Sequence, residues 1–145
     1  MKAVVLYESR TGNTRRAAEY VAGAVQAAGG EVTIRPVDDP PMDEIAIADI
    51  VFIGTWVDGA IVVGHRPGGQ RNLNTLPGLW DIPVAGFMTY AVYPGKVTRT
   101  LARYLEKKGA NVVLARAFHR KKLPDGIAEF VADALAAAEV KLPSA

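Results

Sequence analysis

Three short apolar runs, KAVVLY (2–7), DIVFIG (49–54) and IPVAGFM (82–88), do most to restrict how this chain folds. Runs of this length and continuity are the mark of strands buried on both faces. EVTIRPV (31–37) differs: it alternates, with Val32 and Ile34 on one side, and its Pro36 suits a sheet edge. NVVLARAF (111–118) reads as the last strand. Helical spacing fills the intervals. From Thr14 onward, Ala17, Val21, Ala24 and Ala28 share one face, and Gly29-Gly30 stops the helix. GKVTRTLARYLEKKG (95–109) sets Val97, Leu101, Tyr104 and Leu105 on an inner face, with Lys107 and Lys108 at its negative end and Gly109 beyond. Asp125 is of a type that caps helices, and Ile127, Phe130, Val131, Ala134, Leu135 and Ala138 form a stripe after it. Strands alternating with helices predict parallel βαβ units and a three-layer α/β sandwich. Five strands in a chain of this length predict a parallel sheet of order 2-1-3-4-5.

One segment resists that pattern. Residues 57–80 lie where a third helix belongs, yet they hold five glycines and two prolines. A long loop is expected there, with a short helix around 70–76 and little regular structure before it.

Composition narrows the function. With 145 residues, half of them hydrophobic, a single domain over 1–145 with a sizeable core is expected. No apolar run approaches the roughly 18 residues of a membrane span, and MKAVVLYESR lacks a small-residue cleavage site. With no cysteine there is no disulfide, no thiolate chemistry and no cysteine-ligated metal, which fits a cytoplasmic location. A net charge of +2, without aromatics interleaved among basic residues, argues against nucleic acid. His65 and His119 show no metal-ligand spacing, and the five carboxylates of DDPPMDEIAIAD (38–49) read as a solvated loop. Ser9 lacks the G-x-S-x-G setting of a hydrolase nucleophile. The third strand ends in Gly54-Thr55, without the aspartate of a receiver domain. The basic stretch RAFHRKKL (116–123) reads as an exposed strand end and loop, or as a docking patch for an acidic partner.

The chemistry concentrates in YESRTGNTRRAAEY (7–20). In an open parallel sheet, ligands bind beyond the carboxyl ends of the strands, where strand order reverses, and this loop lies there. It feeds a helix N-terminus, with free amide N–H groups and a positive dipole end. Ser9, Thr11, Asn13 and Thr14 add neutral side-chain donors, and Gly12 admits close backbone approach. The set suits a phosphate, although the same residue types also serve as ordinary turn and cap residues. Neither G-x-G-x-x-G nor G-x-x-x-x-G-K-[ST] occurs.

SRTGNT (9–14) resembles the phosphate loop of the flavodoxin family, commonly [ST]-x-T-G-x-T, and the resemblance extends over nearly the whole chain. It implies a flavodoxin-like fold and an FMN phosphate held by Ser9, Arg10, Thr11, Gly12, Asn13 and Thr14. GTWVDG (54–59), after the third strand, resembles the family loop that lies against the flavin ring, through Thr55 and Trp56. A tryptophan there has a face large enough to stack on a flat ring, or it is a core residue. The continuation departs from the family order, since Val57 intervenes and Asp58 precedes Gly59. In the family a peptide of this loop turns over as the flavin is reduced, and the resemblance implies Asp58–Gly59 for that role, since glycine tolerates positive φ. MTYAVYPGK (88–96) matches the third family loop, in which Thr89, Tyr90 and Ala91 would meet the pyrimidine edge and Tyr90 or Tyr93 the second ring face. No carboxylate occurs from Phe87 to Leu105, unlike the acidic loop of many relatives.

The resemblance implies electron transfer between redox partner proteins, with no separate catalytic residue. Two alternatives stand beside it: an FMN-dependent NAD(P)H:quinone-type reductase, and a flavodoxin-like module without FMN that binds a partner protein. The expected state is a monomer or weak homo-oligomer.

Overall fold

The computed structural model describes residues 1–9, 12–58, 66–67, 78–79, 82–91 and 96–141. In chain order the elements are β1 (Lys2–Tyr7), α1 (Asn13–Ala27), β2 (Glu31–Pro36), α2 (Met42–Ala46), β3 (Ile50–Asp58), β4 (Arg66–Pro67), β5 (Pro83–Tyr90), α3 (Val97–Lys107), β6 (Asn111–His119) and α4 (Ile127–Lys141). The main sheet runs β2-β1-β3-β5-β6, all parallel, which is the expected 2-1-3-4-5 order of five strands. β4 is a two-residue addition, antiparallel to the end of β3.

Side chains alternate across this sheet, so it builds two cores. Ala3, Val5, Phe52, Ala85 and Phe87 face α1 and α4. Val4, Leu6, Val51, Ile53, Val84 and Met88 face the layer holding α2 and α3. On the first side Phe130 is the hub: its ring meets Phe52, Phe87 and Phe118 edge-on, with centroids 5.8, 6.3 and 5.4 Å away. β2 is an edge strand, and Pro36 ends it, paired with Tyr7.

Two helices stop in the same way. At the end of α1, Gly29 takes φ +86°, its N–H donates to Gln26 O, and the Gly30 N–H reaches back to Val25 O. At the end of α3, Gly109 takes φ +87°, donating to Glu106 O, while the Ala110 N–H donates to Leu105 O. Both follow the Schellman pattern, in which a left-handed residue lets the chain turn back and cover carbonyls the helix leaves free.

Several expectations need correction. The buried face of α1 is Thr14, Ala17, Ala18, Val21, Ala22 and Val25; Ala24 is half-buried and Ala28 exposed, because the helix meets two neighbours and needs a wider stripe. The acidic stretch 38–49 is not simply a solvated loop. It holds α2, started by Pro41 and by Asp43 and Glu44 in its first turn, and it buries Ile45. Asp49 accepts a 2.7 Å bond from the Lys2 N–H, pinning the start of β1. The first helical bond of α4 runs from the Phe130 N–H to the Gly126 carbonyl, one residue beyond an Asp125 cap. β3 and β5 outrun their apolar segments, to Asp58 and Tyr90, because each continues to find a partner. The helix expected around 70–76 lies outside the described residues.

Candidate functional site

The carboxyl ends of β1, β3 and β5 meet where the strand order reverses, and three segments converge there. After β1 the chain turns at Gly12, whose φ of +92° is a left-handed conformation that glycine adopts without strain. Ser9 folds back over this turn. Its Oγ accepts the Gly12 N–H at 3.0 Å and the Arg15 N–H at 3.3 Å. Amides at the start of α1 therefore converge on one oxygen. No acidic residue stands in the first turn of α1 to offset its positive end. Arg15 turns away to pair with Glu19, 3.3 Å apart on the exposed helix face.

Among the described residues the buried polar side chains are Thr14, Thr55 and Thr89, and all three belong to this convergence. Thr14 Oγ1 and Thr89 Oγ1 stand 2.9 Å apart, joining α1 to the end of β5. Thr55 and Trp56 were expected in a loop, but they continue β3, opposite Met88 and Thr89 of β5. Val57 and Asp58 continue it further, opposite Pro67 and Arg66 of β4. Thr55 is wholly buried, and Trp56 is half-buried. The Trp56 indole Nε1 is shut off from solvent yet has no hydrogen-bond partner among the described residues. A buried, unbonded N–H is costly.

Thr89 and Tyr90 likewise end β5, and Ala91 follows, exposed. The Tyr90 ring is half-buried and meets His119 edge-on, centroids 5.3 Å apart, across the β5–β6 pairing. In the sequence His119 shows no metal-ligand spacing. Here it supports Tyr90, and its Nδ1 accepts the Lys121 N–H at 3.1 Å. The Arg120 N–H donates to the Tyr90 carbonyl at 2.9 Å, so the basic stretch after β6 is fastened beside Tyr90. The signal in the sequence was positional: His119 ends one strand as Tyr90 ends its neighbour. Asn13 starts α1 beside Gly12. Arg10, Thr11, Gly59 and Tyr93 lie outside the described residues, as does His65. Among the described residues there is no cluster of three or more metal-ligating side chains. No described helix is long and apolar enough to cross a membrane.

The fold is a doubly wound α/β sandwich whose sheet mouth carries neutral donors, a helix start without acid and an aromatic, the set that an anionic, planar ligand requires. The chain belongs to the flavodoxin family: the model described as a flavodoxin domain matches residues 4–141. A flavodoxin of Aquifex aeolicus is 40% identical over 62 residues, which span 42% of this chain and 34% of that relative. The two-electron reduced flavodoxin of Megasphaera elsdenii has a similar structure, with a TM-score of 0.75 and 26% identity over 94% of this chain and 98% of that one. Oxidised flavodoxin 1 of Bacillus cereus, 18% identical, shares the fold at a TM-score of 0.68, covering 99% of this chain and all (100%) of the other.

The cofactor of flavodoxins is FMN. The residues present fit it in three respects: amide and hydroxyl donors at a positive helix end suit its phosphate, no acid in that first turn opposes it, and Trp56 Nε1, without a partner among the described residues, lies near the end of β3.

Proposed function

We propose that this chain binds FMN at the carboxyl ends of β1, β3 and β5 and carries electrons between redox partner proteins. In this reading Ser9, Arg10, Thr11, Gly12, Asn13 and Thr14 hold the phosphate. Trp56 covers one ring face, and Tyr90 or Tyr93 the other. Thr55, Val57, Asp58 and Gly59 border the ring edge, and the backbone of Thr89 and Ala91 meets its pyrimidine side. FMN supplies reversible one-electron uptake and release; the chain binds it, shields it from water and biases its charge. The observation that carries the reading is the buried Thr14–Thr89 contact, which joins the start of α1 to the end of β5 where Thr89 pairs with Trp56 of β3.

The partner's chemistry follows from charge. Lys96, Arg99, Arg120, Lys121 and Lys122 are exposed at the same end of the sheet. None of them pairs with a carboxylate among the described residues. A partner with an acidic face around its own redox centre fits this rim.

The test is an absorbance spectrum of the protein as purified, followed by FMN titration. Flavin absorbance and saturable binding are expected. Thr14→Ala is expected to weaken FMN by about 1–3 kcal/mol. A colourless protein that does not bind FMN overturns the reading.

A further inference from the structure

We propose that Thr89 is a positioning residue for the phosphate: its hydroxyl orients the Thr14 hydroxyl, so that the end of β5 sets the donor direction of a loop that follows β1. The inference rests on the FMN reading given above and adds to it a residue outside the phosphate loop.

Thr14 and Thr89 are 75 residues apart in sequence, and their hydroxyl oxygens meet at 2.9 Å. Both side chains are almost wholly buried, at 1% and 3% exposure, so water does not decide which way the protons point. A hydroxyl offers one proton and two acceptor lone pairs. In a pair of hydroxyls one proton lies between the oxygens, and the other belongs to whichever oxygen accepts. Thr14 is the second residue of α1. Among the described residues its hydroxyl meets that of Thr89, so in the proposed site its proton goes to Thr89 or to the phosphate.

A phosphate decides between the two. The oxygens of a phosphate dianion only accept, so a bound phosphate draws the Thr14 proton toward itself. Thr14 Oγ1 then becomes the acceptor, and Thr89 turns to donate to it. The result is a chain of two bonds in one direction, Thr89 O–H to Thr14 Oγ1 and Thr14 O–H to phosphate, each polarising the other. Thr89 is well placed to stay still while this happens. It is the next-to-last residue of β5 and is paired on both sides, with Trp56 in β3 and Phe118 in β6.

A residue that acts through the phosphate is told apart from one that touches the ring by comparing FMN with riboflavin, which lacks the phosphate. Thr89→Val keeps the shape and removes the hydroxyl; Thr89→Ser keeps the hydroxyl. Dissociation constants for both ligands are measured by flavin fluorescence, with melting temperatures of the cofactor-free proteins alongside. In Thr89→Val the loss of affinity for FMN is expected to exceed that for riboflavin by about tenfold, and Thr89→Ser is expected to restore the ratio. Equal losses for the two ligands overturn the proposal, since that is the signature of a ring contact or of general loosening. An unchanged ratio in Thr89→Val, with normal FMN binding by the parent protein, also overturns it. If Thr89→Val does not fold, Thr89→Ala is read by the same ratio. A parent protein that binds neither ligand overturns the cofactor reading itself, and the Thr89 role falls with it.

Discussion

Gly54 lies directly across the β3–β5 pairing from Phe87, and a Cβ at Gly54 would stand 2.1 Å from the Phe87 ring. That ring is held in turn by Phe130, so it has no free direction in which to retreat. Gly54→Ala is therefore expected to destabilise the protein by about 1–3 kcal/mol, read as a lower midpoint in urea. Gly23 is the contrast: exposed inside α1, with nothing within 4 Å of an added Cβ. Gly23→Ala is expected to raise stability by about 0.5–1 kcal/mol. A neutral Gly54→Ala would mean that the Phe87 ring can yield and that β3 and β5 pack loosely at this point.

Phe130 touches three other aromatic rings and is fully buried. Truncating it removes the common partner of Phe52, Phe87 and Phe118. Phe130→Ala is expected to cost about 3–5 kcal/mol in chemical denaturation, and a cost under about 1 kcal/mol would contradict its place at the hub.

Trp56 ends in a buried indole N–H without a partner among the described residues. In the FMN reading its ring quenches the flavin by contact. Trp56→Ala is expected to raise the emission of bound flavin or to weaken its binding. If emission and affinity both stay as in the parent, Trp56 belongs to the core and not to the ligand.

The charges around the site bear on redox behaviour. No carboxylate occurs from Phe87 to Leu105, and the first turns of α1 and α3 hold no acid. A reduced, anionic flavin meets less repulsion here than beside an acidic loop. One-electron potentials are expected to lie above those of relatives with that acidic loop, as measured by redox titration. Potentials as low as theirs would refute the argument.

The basic rim makes a separate prediction about docking. Electron transfer from the reduced protein to an acidic haem protein is expected to slow with added salt. It is expected to slow by about tenfold at low salt in a Lys121→Glu/Lys122→Glu variant. A basic acceptor is expected to gain from the same variant. Equal rates toward both acceptors at every ionic strength would rule out the rim as the docking surface.

Local sequence was enough for much of this protein. The apolar runs at 2–7, 49–54 and 82–88 are strands because a fully covered strand has no polar side to record, and Pro36 marks the edge because it has no N–H to give to a further strand. Gly29 and Gly109 end their helices because the left-handed turn there needs a residue without a Cβ. Ser9, Gly12 and Thr14 declared a tight turn into a helix start, where backbone amides go unpaired. What the sequence could not carry are the relationships between strand ends. Whether Thr55–Asp58 and Thr89–Tyr90 are loop or strand depends on whether a neighbour continues alongside, and β4, β5 and β6 are the neighbours that do. The role of His119 beside Tyr90 exists only because β6 stands next to β5. The Thr14–Thr89 contact spans 75 residues. Periodicity and turn chemistry act over a few residues, whereas such a contact exists only once the sheet has assembled and closed water out from between two hydroxyls.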